Sequence, residues 1–524
     1  MWAAFPGYRT APPQFNIARE VLDDAITLRG YGSQPAIRYS GGELSFNELR
    51  GRVDALAAGL RESGVVENDR VLLRGPNTPD WATAFLALTK LGAIPVLVST
   101  LLGPKEIEAV LATSGVRRAI VHAEAAEALR QAWSATGGQR EIVIIGTPEP
   151  GESSLEQVMR PGADLGCATT SRDAPAFITY TSGSTGRPKG VVHAHRWLPA
   201  VGDMARLRGE EFAPGETSFG VGELANVGAL GHCLLFPLRG GACASLLHGR
   251  AAPERIVASI RQFKPTLFFG VASVFRKLLA MPELDASVLQ SIKISVSGGE
   301  PIGPTLPGEW EKRFGTPLYE HYALSEFQMV LANGPGVPVR PGSAGVAPPG
   351  LAVEVLDAAL RPAKPGEVGQ LAIRGDDPGL FLTYDNQPEV WRQTMRAGWF
   401  MTGDMFSRDA DGYFWCAGRG DDMFKSRGYA IAPVEIENVM HEHPAVAEVA
   451  VVGVADAEIS RAIKASVVLR PGWSFSDGLT TELRDHVRSR LAPYKVPKFV
   501  EYRDELPRVG AIGKVNRRML EKDV

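Results

Sequence analysis

The sequence predicts an α/β fold divided between a large first domain and a small last one. Three observations carry this. Strand-like and helix-like segments alternate through roughly the first 400 residues, which is the pattern of βαβ units and a largely parallel sheet. The chain has 524 residues, more than one hydrophobic core spans (about 250–300). Two glycines among charges, Gly418-Arg419-Gly420-Asp421-Asp422, make a solvated connector ahead of a final stretch of ordinary domain size. The expected division is 1–418, a hinge at 419–421, and 422–524.

In chain order, Leu49, Val53, Leu56 and Leu60 recur at helical spacing. Arg70-Val71-Leu72-Leu73 reads as a short strand. Trp81, Phe85 and Leu88 share one helix face, and Ala93-Ile94-Pro95-Val96-Leu97-Val98 returns as a strand, which completes a βαβ unit. Segments 136–138 and 148–154 read as surface loops. Ala174-Pro175-Ala176-Phe177-Ile178 reads as another strand. Past the connector, 447–453 alternates partly like a strand, and Leu483, Val487 and Leu491 mark a helix over 479–491.

Composition excludes several classes. Apolar residues make up 44% and charged residues 22%, with a net charge of −3, so bulk electrostatics gives no reason for nucleic-acid or membrane binding. Cys167, Cys233, Cys243 and Cys416 are scattered, without the spacing of a disulfide framework or zinc site. No apolar run approaches the ~20 residues of a membrane helix and no leader pattern opens the chain, so cytoplasmic residence is expected.

The densest chemical signal is Tyr180-Thr181-Ser182-Gly183-Ser184-Thr185-Gly186-Arg187-Pro188-Lys189-Gly190. Glycines let backbone N–H groups approach an anion. Hydroxyls donate to phosphate oxygens, and Arg187 and Lys189 add charge. It is not the common nucleotide P-loop, because Pro188 precedes the lysine and Val191-Val192 resume a strand pattern. Four later segments carry further polar groups. Ser297-Gly298-Gly299-Glu300-Pro301 places a glycine pair at a strand end, where backbone can lie against a flat base. Tyr322-Ala323-Leu324-Ser325-Glu326 joins an aromatic ring, a hydroxyl and a carboxylate. Thr402-Gly403-Asp404 sets an aspartate at a strand end, able to accept two hydroxyl protons. Lys514 follows Gly513 in a Pro/Gly-rich loop near the C-terminus. Taken singly, each reads as a turn or a solvated surface group.

In this order, with the connector and the small last domain, these segments resemble the adenylate-forming superfamily: acyl-CoA synthetases, adenylation domains of peptide synthetases, and luciferases. Within it, the aryl-CoA and 2-aminobenzoate-CoA ligase branch is the most similar. The resemblance runs from Leu44-Ser45-Phe46 to Lys514. It implies a multi-sheet α/β first domain and a hinged α+β second domain. It also implies an ATP-dependent acid–CoA ligase that works through an acyl-adenylate. ATP and CoA would be co-substrates and Mg²⁺ the metal. By this resemblance Thr181, Ser182, Gly183, Ser184, Thr185, Gly186 and Lys189 grip the phosphates, while Gly299, Glu300 and Pro301 line the adenine site. Tyr322 stacks on the base, Ser325 reaches the α-phosphate and Glu326 helps hold Mg²⁺. Asp404 takes the ribose hydroxyls, and Arg419 contacts ribose and phosphate. Lys514 bridges the acid's carboxylate and the α-phosphate, with Thr181, Ser325 and Glu326 as the other catalytic groups. Lys425, Arg427 and Gly428 serve the thioester step after rotation about Asp421.

The acyl pocket by the same resemblance involves His193, Asn226, Val227, Gly228, Gly298, Ala323 and Met329. Small residues over 224–231, and Met329 where benzoate ligases tend to have a histidine nearby, predict a wide pocket for an acid bulkier than benzoate, aryl, polycyclic or branched. Ala323 replaces the family glycine. This keeps open an enzyme performing only one half-reaction, or adenylation with transfer to a carrier protein. A non-enzymatic scaffold would not need the phosphate loop, Asp404 and Lys514 together. Homodimerisation is left open. The loose dinucleotide pattern at Gly220-Val221-Gly222-Glu223-Leu224-Ala225 is set aside for want of a strand before it and a helix after it.

Overall fold

The computed structural model describes residues 10–136, 140–182, 188–426, 429–456, 460–509 and 514–522. The first domain is built on two eight-stranded sheets, mostly parallel, with a five-stranded sheet beside them. The predicted βαβ unit is present. Strands Arg70–Arg74 and Ile94–Leu97 pair in parallel, Arg70 opposite Ile94, and helix Pro79–Lys90 crosses between them. Thr78 caps that helix through the Trp81 N–H, and Pro79 stands in the first turn, where a missing N–H costs nothing. Helix Phe46–Glu62 opens on a capping box between Ser45 and Glu48 and buries Leu49, Val53, Leu56 and Leu60 against the sheets.

The strand expected before the phosphate loop is Pro175–Ser182. It pairs antiparallel with Pro188–Ala194, Thr181 opposite Lys189 and Ser182 opposite Pro188, and residues 183–187 between the two strands lie outside the described residues. In the second eight-stranded sheet, strands Thr217–Gly220, Leu267–Gly270, Ile294–Gly298 and Leu318–Tyr322 lie side by side and parallel. A strand therefore does precede Gly222, but it leads into a loop and the four-residue helix Val227–Leu230.

The second domain has its own core, including Ile431, Ile436, Met440, Val451, Ile463 and Leu483, around a three-stranded sheet of Val446–Asp456, Ser460–Leu469 and Phe499–Tyr502. The expected helix is Asp477–Arg488, shorter than the periodicity suggested. The chain turns before Pro493, and Leu491 packs on the core from outside the helix. Arg470 pairs with Glu309 at 3.2 Å and Arg508 reaches Glu300 at 4.0 Å, so two ion pairs join the domains. Among the described residues no helix is long and apolar enough to cross a membrane.

Two expectations are corrected. Asp404 is not at a strand end. It lies inside the ten-residue strand Trp399–Arg408, because that strand pairs along its length with Gly369–Arg374 and Phe414–Arg419. Arg419 is likewise not loop: it closes strand Phe414–Arg419 directly opposite Asp404. The connector therefore begins in sheet and becomes free only beyond Gly420, whose N–H donates to the Gly403 carbonyl.

Candidate active site

The predicted polar segments meet at the carboxyl ends of parallel strands, where open α/β sheets expose loops and unpaired backbone groups. Gly299, Glu300 and Pro301 leave strand Ile294–Gly298, and Tyr322 closes its neighbour Leu318–Tyr322. Asn226, Val227 and Gly228 come after strand Thr217–Gly220 in the same row.

One group joins Tyr322, Asp404 and Arg419. The Tyr322 hydroxyl donates a short hydrogen bond to Asp404 Oδ2, and Arg419 Nε lies 3.1 Å from Asp404 Oδ1. The register sets this geometry, with Asp404 across from Arg419. Gly403 has φ +81°, a left-handed conformation that glycine adopts without strain, so it lets the strand take this shape beside Asp404. Burial, then the Asp404 carboxylate, push the Tyr322 phenol well above its usual range. Tyr322 is thus a permanent donor. Its ring meets Phe406 edge-on, centroids 4.8 Å apart.

A second group joins Glu326 to the phosphate hairpin. The Tyr384 hydroxyl donates to Glu326 Oε1 at 2.7 Å, and Lys189 Nζ lies 5.6 Å over the Tyr384 ring. Strand Thr383–Tyr384 pairs with Pro188–Ala194, Tyr384 opposite Val191, which brings the tyrosine to the hairpin. Tyr384 was not found from sequence. A lone tyrosine so far along the chain from Glu326 carries no local signal. Ser325 sits half-buried in the turn before Glu326. Thr181 and Ser182 continue the hairpin strand, with Thr181 opposite Lys189, but their side chains lie outside the described residues, as do Gly183, Ser184, Thr185 and Gly186.

Glu300 accepts from the Ser273 N–H at 2.6 Å and faces Arg508 of the second domain. Arg508 begins the short hairpin Arg508–Val509 with Lys514–Val515, Val509 opposite Lys514. Arg508 pairs most closely with Glu448 of its own domain, so the hairpin that carries Lys514 lies near the Glu300 segment with Arg508 shared between the two carboxylates. The Lys514 side chain lies outside the described residues. Asp421 is exposed just past Arg419, and Lys425 is exposed on strand Phe424–Ser426. Arg427 and Gly428 lie outside the described residues.

Around the expected acyl pocket, Asn226 caps helix Val227–Leu230 through the Gly228 N–H. A Cβ on Gly228 would lie 3.4 Å, and one on Gly298 3.5 Å, from the Phe269 ring. Phe269, which sequence reading missed, takes part of the space the small residues leave. It lies flat on His232, centroids 4.2 Å and planes 7° apart. Ala323 is half-buried; Met329 is fully buried at φ +69°. His193 is fully buried, stacked on Phe177 at 4.7 Å with Trp197 edge-on. Burial depresses its pKa to about 3, so it is a neutral ring in the core.

The arrangement pairs a cation with a carboxylate at Arg419 and Asp404, and joins a second carboxylate, Glu326, through Tyr384 to the strand of Lys189. Residues 25–384 match the family model of the AMP-binding enzyme, and 435–513 match the AMP-binding enzyme C-terminal domain. The chain is similar to a benzoate–CoA ligase of Thauera aromatica, 31% identical over 97% of this chain and 95% of that one. It is also similar to a 3-hydroxybenzoate–CoA ligase of Aromatoleum sp. (strain CIB), 32% identical over 97% and 96%. Among solved structures, the anthranilate CoA ligase AuaEII in complex with anthranoyl-AMP superposes with a TM-score of 0.90 at 30% identity, covering 97% of each chain.

Proposed function

The chain belongs to the AMP-binding enzyme family, and from its site we propose that it is an AMP-forming acid–CoA ligase for a hydrophobic aryl acid. The observation that carries the reading is the joined set of Tyr322, Asp404 and Arg419 beside the Glu326–Tyr384–Lys189 group. One end fits a nucleoside and the other its phosphates, and Gly298 and Gly228 both face the Phe269 ring.

In the first half-reaction a carboxylate oxygen of the acid attacks the α-phosphorus of ATP, and pyrophosphate leaves. Asp404 accepts from the ribose hydroxyls, and Arg419 stays in place through its pair with Asp404. Lys189 and the glycine–hydroxyl segment Gly183 to Gly186 grip the leaving pyrophosphate. Glu326, oriented by Tyr384, would hold Mg²⁺ through a hard carboxylate oxygen, and the ion would supply positive charge there. Lys514 supplies the positive charge that offsets charge gathering at phosphorus. In the second half-reaction the CoA sulfur attacks the acyl carbon and AMP leaves. For it the second domain, 422–524, turns about Asp421 and presents Lys425, Arg427 and Gly428, exchanging two orientations of one fold.

The acid meets an apolar wall of Phe269, Val227 and Met329 with Asn226 at its edge, which suits a flat ring with few polar anchors. ATP–pyrophosphate exchange over acids of graded size, followed by thioester formation with CoA, tests the reading. Exchange with aryl acids and thioester release on adding CoA are expected. Thioester formation with a holo-carrier protein and none with CoA, or a clear preference for acetate, would sink it.

A further inference from the structure

Behind the acyl pocket the first domain buries three donor groups that the proposed reaction does not use. Glu210 lies just past helix Trp197–Leu207, His232 sits in the π-helical turn Gly231–Leu235, and His321 stands on strand Leu318–Tyr322. One donor atom of each lies within 4.8 Å of the other two. Glu210 Oε2 is 3.2 Å from His232 Nε2, and Glu210 Oε1 is 3.5 Å from His321 Nδ1. Glu210 is 0% exposed, and both imidazoles are buried. Neither carboxylate oxygen has a hydrogen-bond partner, and neither do His232 Nε2 and His321 Nδ1. The close approaches are therefore not N–H···O bonds. A buried carboxylate without a donor is costly, and a cation among these atoms would offset that cost.

We propose that Glu210, His232 and His321 bind one first-row divalent metal ion of the zinc class. An ion about 2.0–2.2 Å from each donor sets the donors about 3.0–3.5 Å apart, between octahedral and tetrahedral angles. The two measured separations, 3.2 Å from Oε2 to His232 and 3.5 Å from Oε1 to His321, fall in that range, with Glu210 turning one oxygen to each imidazole and so able to hold the ion through both. Two neutral imidazoles and one carboxylate are the donor set that zinc and its neighbours take. The far nitrogen of His232, Nδ1, lies 3.0 Å from the Gly228 carbonyl, the partner a metal-bound histidine ordinarily finds for its remaining N–H. Gln328 Nε2 approaches the same nitrogen at 2.8 Å, while its Oε1 has no partner. The same Nε2 donates to the Gly228 carbonyl at 3.2 Å, so Gln328 and His232 share that acceptor. Single π-turns tend to mark functional positions, and this one delivers His232 to the cluster. Because His232 carries Phe269 flat on its face, the ion would fix the wall against which Gly228 and Gly298 pack.

Arg208, also buried and within electrostatic reach of His321, is the competing cation. Elemental mass spectrometry of the purified full-length protein, then Zn²⁺ and Co²⁺ titration after chelator treatment, separates the two. About one equivalent of bound metal is expected, with visible Co²⁺ bands of an imidazole–carboxylate shell. Glu210→Gln and His321→Phe should abolish binding. Should those variants fail to fold, X-ray absorption of the Co²⁺ form of the unaltered protein decides: an imidazole-rich shell supports the site, a thiolate shell overturns it. Less than about a tenth of an equivalent, with no saturable uptake of either ion, would assign the cluster to an ion pair with Arg208 and overturn the proposal. ATP–pyrophosphate exchange measured on the same samples is a separate readout, so failure of the ligase reading leaves the metal result standing.

Discussion

Replacing Tyr384 by phenylalanine deletes one hydroxyl and the 2.7 Å hydrogen bond it gives to Glu326 Oε1. Hydrogen bonds to charged groups contribute about 1.5–3 kcal/mol. Tyr384 is 3% exposed, but Glu326 is half-buried, so water takes over part of the lost bond. That places the effect at the lower end, about 1.5 kcal/mol, or roughly tenfold in rate. The ring remains, with its edge contact to Phe381 at 4.7 Å and the Lys189 cation 5.6 Å above it. The loss of stability should therefore stay near 1 kcal/mol. ATP–pyrophosphate exchange should fall about tenfold and need more Mg²⁺ to saturate, since a loosely held carboxylate is a poorer ligand. Thioester formation from synthetic acyl-adenylate and CoA should not change. Exchange within about twofold of the unaltered protein would refute the reasoning, because that is less than the weakest such bond supplies. An equal fall in both half-reactions would refute it too, since the lesion would then not be local to adenylation.

The geometry fixes three further outcomes. Arg508→Ala removes the contact between the Lys514 hairpin and Glu300, 4.0 Å away, together with the closer pair that Arg508 makes with Glu448. For a pair of this length and exposure, adenylation should slow by about two- to fivefold, with thioester formation from acyl-adenylate untouched; equal slowing of both steps would count against a role for that contact. Gly298→Ala places a methyl 3.5 Å from both the Phe269 ring and the His321 carbonyl, ordinary contact that the fold accepts. It narrows the pocket, so KM for the acid should rise by about tenfold while KM for ATP holds; a rise in KM for ATP alone would refute the placement. His193, depressed to about 3 by burial, binds its proton only in the unfolded chain between that value and the ordinary histidine range. Its contribution is complete above about pH 6.5 and is lost as pH falls, by about 1.4 kcal/mol per unit. His193→Leu should flatten the decline of the unfolding midpoint between pH 6 and pH 4 (about this span); an unchanged slope would show that His193 is not the group that titrates.

Local pattern made much of this molecule legible. Helix Phe46–Glu62 and the βαβ unit over 70–98 follow from apolar spacing, with caps written in Ser45, Glu48 and Thr78. Tyr322, Asp404 and Arg419 were readable because glycines and charges mark them, though their strand positions were not. Asp404 looked like a turn residue because Gly403 precedes it, yet pairing on both sides holds it inside a long strand. Tyr384, Phe269 and Glu210 were out of reach for a different reason. Each acts through a partner distant in sequence, Glu326, His232 and His321, and no period or motif links such pairs before the sheets bring them together.

The strand that carries Arg419, the cation proposed for the nucleoside, is also the strand from which the second domain departs. Arg419 ends Phe414–Arg419, and Asp421 lies two residues on. In the proposed cycle little slack lies between ligand and pivot, so the angle of the second domain and the grip on AMP are one equilibrium seen from two ends. Whatever factor separates AMP affinity in the two orientations must equally be the factor by which bound AMP biases the swing. A product that leaves slowly would hold the enzyme in one posture, and lengthening the connector after Arg419 should uncouple release from rotation.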